Sequence, residues 1–414
     1  MRRKFILSYS NILYCILSLT MMIDFMNGIF KGLHIGQIFR VLLITTCAIS
    51  IIKYNPQKAK LFLLIILFLI TNITISIIKV PAAIYTDISI GIKSILFYTI
   101  ACSLIVLHQR GSFSFDMINK IIMNNLLYAP AMFILSYVFG LGNASYTFNK
   151  SALGFKSYFL SLNSVNIALL FLYIYATSKV FAERKKVKWI IACLYVAIPM
   201  LMLGTKTSLA MIIFVPLFFT FLNIKRRKTW YLIIGVAIIG VICIPILINK
   251  ILPLFEAVIS RQKFLFSQRD IMTYIFSTRN TRVSNILEYF FSQSSVLDLT
   301  IGRGYYDIHH YVAILENMPN DAIPLEMDWA DILVTYGPIG FLYTYVFSIR
   351  ILLKSRHLNM VSYGVPFFWS GVILLLYGSL AGHLFLEAIS STFYAIIIAG
   401  CFIATNEGVI CSNA

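Results

Sequence analysis

Charged side chains are scarce in this chain, so each one that interrupts an apolar run is a candidate for chemistry. Gly204-Thr205-Lys206-Thr207-Ser208 sets a lysine and three hydroxyls between two apolar stretches. A cation beside the exposed amides of a helix N-terminus suits a phosphate group. The alternative is a lysine snorkelling out of a tight hairpin. Arg40 and Lys93 lie about five residues inside their apolar runs, where an ionisable group faces a cavity or a partner unless it too snorkels outward.

Arg279 and Arg282 stand three apart, on one face if helical. Guanidinium forks match phosphate oxygens two at a time; contact with anionic headgroups explains the pair equally well. Gly302-Arg303-Gly304 is either an ordinary turn or a flexible one that brings its arginine close to a ligand. Glu326, Asp328 and Asp331 precede or open an apolar run, with Asp328 and Asp331 on one helical face. A carboxylate there could deprotonate a hydroxyl, or simply complement the helix dipole while Trp329 anchors the interface. His383, in Ala381-Gly382-His383, is placed for binding or for a backbone hydrogen bond. His309 and His310 are adjacent, which is not metal-ligand spacing, and no metal or other cofactor is expected. No nucleotide-binding loop, zinc spacing or serine-hydrolase elbow occurs.

The elements that must position these groups cross a membrane. Of 414 residues, 59% are hydrophobic and 12% charged, against about 45–50% and 25% in soluble domains. Apolar runs long enough to span a bilayer fall near 5–23, 35–52, 61–78, 88–107, 121–141, 158–178, 189–204, 207–222, 230–248, 327–349, 361–380 and 389–405. The fold expected is an all-α polytopic bundle of about twelve spans. Met1-Arg2-Arg3-Lys4 and the run after it have the form of a secretory signal without a cleavage site, so the first span is read as retained. The formal charge of +18 is explained by its placement and implies no nucleic-acid partner. With the N-terminus inside, twenty Lys and Arg fall in inner loops. Five, Lys31, Lys79, Lys150, Lys156 and Lys206, fall in the short outer ones. This asymmetry puts both termini in the cytoplasm.

Three regions follow: spans one to nine (1–249), a large outer loop (250–326), and spans ten to twelve with a short C-terminus (327–414). Loops of such length are usually functional or separately folded. Val283, Ile286, Leu287, Phe290 and Phe291 recur at helical spacing, either as an amphipathic helix on the membrane surface or as one packed on the loop's own core. The seven cysteines all lie in spans or at the C-terminus, which implies no disulfide framework.

This order of features resembles the O-antigen polymerases (Wzy-type), within the wider group that includes O-antigen ligases. Gly204-Thr205-Lys206-Thr207 resembles that family's short turn between spans, with lysine in the usual arginine's place. Ser277-Thr278-Arg279 matches its "S-x-R", Gly302-Arg303-Gly304 its "G-x-G", and Glu326-Met327-Asp328 with Gly337-Pro338-Ile339-Gly340 its "E-x-D" leading into "G-x-x-G". Gly382-His383 matches a late "G-H". The ligase branch usually carries "H-N" where Glu326-Met327-Asp328 stands, which favours a polymerase.

The resemblance implies a GT-C-like glycosyltransferase in the bacterial inner membrane, with its large loop periplasmic. Donor and acceptor would be undecaprenyl-diphosphate-linked glycans, and the lipid bilayer, a chain-length regulator and a flippase of the same pathway are the implied partners. Arg279 and Lys206 would hold the pyrophosphate, with Arg282 and Arg303 in reserve, and Glu326, Asp328 or His383 would stand near the acceptor. Arg40 and Lys93 would add to the attraction for the anion. A ligase and a lipid-linked-oligosaccharide flippase are the rival expectations; a flippase should show repeats and charges near the midplane.

Overall fold

The computed structural model describes residues 8–148, 151–183, 186–223, 266, 279–318, 322–360 and 364–412. Among these the chain is a helical bundle whose one departure is a hairpin of three-residue strands, β1 (Tyr146–Phe148) and β2 (Ser151–Leu153). Eight helices are long and apolar enough to cross a membrane, and the chain is a multi-pass membrane protein.

The expected first span is instead two helices, α1 (Tyr9–Ser18) and α2 (Thr20–Ile29), bent by 54°; counted together they make a ninth. Then come α3 (Ile35–Tyr54), α4 (Pro56–Lys79), α5 (Ile84–Gln109) and α6 (Phe115–Val138). After the hairpin follow α7 (Leu162–Ala182), α8 (Lys186–Leu203) and α9 (Lys206–Leu222). The run expected at 230–248 lies outside the described residues. Three loop helices, α10 (Arg279–Gln293), α11 (Val296–Ile301) and α12 (Tyr305–Leu315), precede α13 (Asp328–Lys354), α14 (Val365–Ala381) and α15 (Ala388–Ser412). With 17 residues each, α9 and α14 are shorter than the usual spanning length.

Starts and stops follow local chemistry. Asn55 caps α4 with Pro56 in its first turn, and Ser114, Ser161 and Thr205 cap α6, α7 and α9. Helices α5, α7 and α15 are apolar nearly all round and form the buried centre of the bundle, whereas α4 is largely exposed and faces outward. Inside α13, Gly337 (φ 60°) and Pro338 break the helix, and a π turn follows at Leu342–Val346.

The loop helices have a core of their own. Val283, Ile286 and Phe290 of α10 pack with Ile308, Val312, Leu325 and Val334, so this helix covers the loop's core and does not lie on lipid through that face. Phe291 is turned outward. The loop unit rests on one end of the bundle, the loop end. There Asn72 of α4 donates to the carbonyls of Ile301 and Thr335, and Asp87 of α5 accepts from the Tyr306 amide at 2.7 Å.

Candidate functional site

The site is built where the start of α13 meets the turn between α14 and α15. Asp328, fully buried, accepts from the amides of His383 (2.7 Å) and Leu384 (2.5 Å). Ser390 donates to the carbonyl of His383. Gly382 (φ 71°) leaves no room for a Cβ against the backbone of Glu326. The effect is to hold two non-glycine residues, Glu326 (φ 61°) and His383 (φ 70°), in the left-handed region facing each other. Such strain persists only where the surroundings over-determine it, and it collects at functional sites.

Glu326 is flanked by cations. One oxygen accepts from Arg279 Nε (2.8 Å) and Nη2 (2.5 Å), and the other lies 3.6 Å from His383 Nε2. Burial alone would raise the Glu326 pKa, but the neighbouring His383, then the charge and hydrogen bonds of Arg279, pull it down to about 2. Burial would likewise lower that of His383. Glu326, then Glu387 and Asp328, outweigh it and raise it to about 9. At neutral pH the pair is a carboxylate and an imidazolium, so His383 is a donor and a charge there rather than a base.

The charges continue across the loop end. Glu387 pairs with Lys93 at 3.7 Å, and Arg40 with Asp24 at 3.2 Å. The Glu387 charge acts on both His383 and Asp24, which joins these pairs into one array of alternating sign. Arg40, Lys93, His383 and Arg279 supply four cations, and Asp24, Glu387 and Glu326 three anions. Beside it, Thr205 caps α9 and bonds Ser208 (2.6 Å), which donates to Asn166 (2.6 Å); Asn166 donates to Thr207 and Tyr377 at 3.0 and 3.1 Å. Tyr377 also donates to Thr207 at 3.3 Å, so the Gly204–Ser208 turn, with half-buried Lys206 opening α9, is tied to α7 and α14.

Thus Arg279, Glu326 and His383 come together, with Lys93 and Arg40 continuing the array, while Lys206 opens α9. Other expected residues have different employment. Arg282 does not share a target with Arg279: it forks onto Glu316. Arg303 pairs with Asp307 at 2.7 Å, donates to the Gln293 carbonyl and lies over the Tyr289 ring, all within the loop unit. Gly302 lies against the Thr335–Tyr336 backbone of α13, and Gly304 against the side chains of Ser76 in α4 and Asp87 in α5. Both oxygens of Asp328 are taken by backbone amides, so it is a positioning residue. The expectation that the chemistry lies in unpaired charges is corrected as well: Arg40, Lys93, Arg279, Arg282 and Arg303 each face a carboxylate.

Sequence reasoning passed over Glu387, four residues after His383 and among few acids beside a span, which could have been found by that spacing. It also missed the buried pair of His309 with Asp331 (2.6 Å), where His309 Nδ1 meets the Tyr305 carbonyl and the two rings stack. That pair fixes α12 to α13 behind the site. Among the described residues no group of three His, Cys, Asp or Glu side chains could hold a metal ion.

No family model matches this chain, and no curated protein matches it.

Proposed function

We propose that this protein is a glycosyltransferase that joins lipid-diphosphate-linked oligosaccharide repeat units into a surface polysaccharide of the O-antigen kind. In this reading the bundle is GT-C-like, sits in the bacterial inner membrane with both termini cytoplasmic, and turns its loop end to the periplasm. The observation that carries the proposal is the Arg279–Glu326–His383 cluster, held on strained backbone at the end of the bundle where the large loop lies. Cations next to a carboxylate suit a reaction in which a diphosphate leaves and a hydroxyl loses its proton.

The acceptor's sugar hydroxyl attacks the anomeric carbon of the donor. A glycosidic bond forms, the bond from that carbon to the diphosphate oxygen breaks, and the diphosphate keeps the electron pair. Arg279 and the His383 imidazolium balance the charge that grows on the leaving group, the role the family resemblance also gives to Lys206. Glu326 is a weak base while both cations hold it. When the diphosphate draws Arg279 away, Glu326 loses one of the partners that depress its proton affinity and can take the proton of the acceptor hydroxyl. The base thereby becomes competent only when the donor is bound.

The test is deletion of the gene in its bacterial host, with complementation by wild type, Arg279→Ala and Glu326→Gln, read on a gel of the surface polysaccharide. Loss of the long ladder, leaving core plus one repeat unit, supports a polymerase, and stably expressed variants should fail to restore it. Bare core with accumulated lipid-linked polymer would indicate a ligase. Bare core with single units trapped on the cytoplasmic side would replace the enzyme with a flippase.

A further inference from the structure

The Gly302-Arg303-Gly304 turn mends a broken helix, and its position says where the loop unit sits. Pro338 has no amide hydrogen, so the carbonyl of Val334, four residues earlier in α13, loses its helical donor. That carbonyl accepts instead from the Arg303 amide at 3.0 Å. The next one, Thr335, accepts from the Gly304 amide at 3.2 Å and from Asn72 at 3.0 Å, and Asn72 also reaches the Ile301 carbonyl at 2.8 Å. Gly302 and Gly304 permit this because a Cβ at either would run into Thr335 or Ser76.

Thr335 is seven residues into α13, and Asn72 seven residues before the end of α4. At 1.5 Å per residue, residues 301–304 therefore lie about 10 Å inside the ends of two spans. Backbone at such depth must find its partners within the protein, and here a buried asparagine and the carbonyls of a broken helix supply them. Helix α11 leads down to this point. Its one charge, Asp298, is withdrawn onto Lys79 at the end of α4, while Val296 and Leu297 are 82% and 52% exposed and Leu299 is 37% exposed. Alongside, α4 presents Leu67, Ile70 and Ile78 outward, so the apolar surface of α11 continues that of an outward-facing span.

We infer that residues 295–304 form a re-entrant element, lodged in the leaflet at the loop end, whose Val296, Leu297 and Leu299 face lipid hydrocarbon. This inference is independent of the transferase reading and needs only that α4 and α13 cross the bilayer. The element anchors the loop unit beside the site and seals the break in α13 from lipid.

The unmodified chain, reconstituted into phospholipid bilayers that carry a diazirine on the acyl chain, is irradiated and mapped by mass spectrometry. Adducts on residues 296–299, as on Leu67 and Ile78, are expected. Adducts on α4 with none on 296–299 would overturn the inference. In a second measurement, nitroxide labels at Leu297→Cys and Val296→Cys, with the native cysteines replaced, are compared with labels at Leu67→Cys and Asn285→Cys. Both should match Leu67→Cys, with high accessibility to oxygen and several-fold less to a water-soluble nickel chelate than Asn285→Cys. Nickel accessibility equal to that at Asn285→Cys would place α11 in water, and shielding from both reagents would mean that protein covers it; either overturns the inference.

Discussion

Glu326 and His383 determine each other's charge, and this fixes how the site responds to pH. The folded pKa of His383, about 9, lies above its ordinary 6.5. Its contribution to stability is therefore complete below 6.5 and lost as pH rises through 9. Glu326 is depressed from 4.5 to about 2, so its contribution is complete above 4.5 and lost as pH falls through 2. The ion pair stands throughout the window between. Transfer by the purified protein in bilayers should be level from about pH 5 to 8 and decline as His383 deprotonates. His383→Gln should lower the rate and abolish that alkaline decline, and a decline that survives this substitution would assign it to another group. Arg279→Ala should cost about 10²–10³-fold in rate, the usual loss when a charge-stabilising donor is removed. Arg279→Lys, which keeps the charge without the fork, should recover part of it. Arg279 and Glu326 share one contact, so the double variant should fall no further than the worse single; additive losses would separate their roles. The residues of this cluster were legible one at a time, as charges out of place in an apolar chain. Their pairing was not, because Arg279, Glu326 and His383 are brought together from α10, the approach to α13 and the turn after α14, and nothing local in the sequence encodes that.

At the scale of elements, the informative features are breaks. The tenth apolar run reads as one unbroken span although Gly337 and Pro338 lie within it, and Gly302 and Gly304 read as a turn; the fit of this turn into the break appears only when α13 and α11 are side by side. The bend between α1 and α2 carries no proline and no glycine at Leu19-Thr20, so hydropathy alone read one straight span. The apolar periodicity of α10 was legible, whereas its partner was not: the same stripe fits a bilayer or a small core, and Ile308, Val312 and Leu325 decide for the core. These close approaches make a stability prediction. Gly302→Ala, Gly304→Ala and Gly382→Ala each force a side chain into left-handed backbone and against neighbouring atoms. Each should destabilise the protein by about 1–3 kcal/mol, seen as a lower thermal midpoint in detergent. Gly111→Ala, also left-handed but with open space around it, should cost less, and equal losses at all four positions would show that contact with α4, α13 and Glu326 is immaterial.

For the whole molecule, the arrangement of charge decides which compartment the site can serve. The array of Asp24, Arg40, Lys93, Glu387, His383, Glu326 and Arg279 lies at the loop end, together with the turn that begins α9. The lysine- and arginine-rich connections fall at the other end of the helices, at Lys53, Lys58 and Lys60, at Arg110, and at Arg350 and Lys354. Under the proposed orientation, which follows the positive-inside rule, the array lies on the far side of the membrane from the cytoplasm. In the proposed reading, that placement would favour a lipid-linked donor over a nucleotide-activated one. An epitope inserted after the exposed Asn317 should bind antibody in intact spheroplasts, whereas one at the C-terminus should bind only after the membrane is permeabilised. The reverse pattern would put Glu326 and Arg279 in contact with the cytoplasm, and the donor would then have to be sought among soluble, nucleotide-linked sugars.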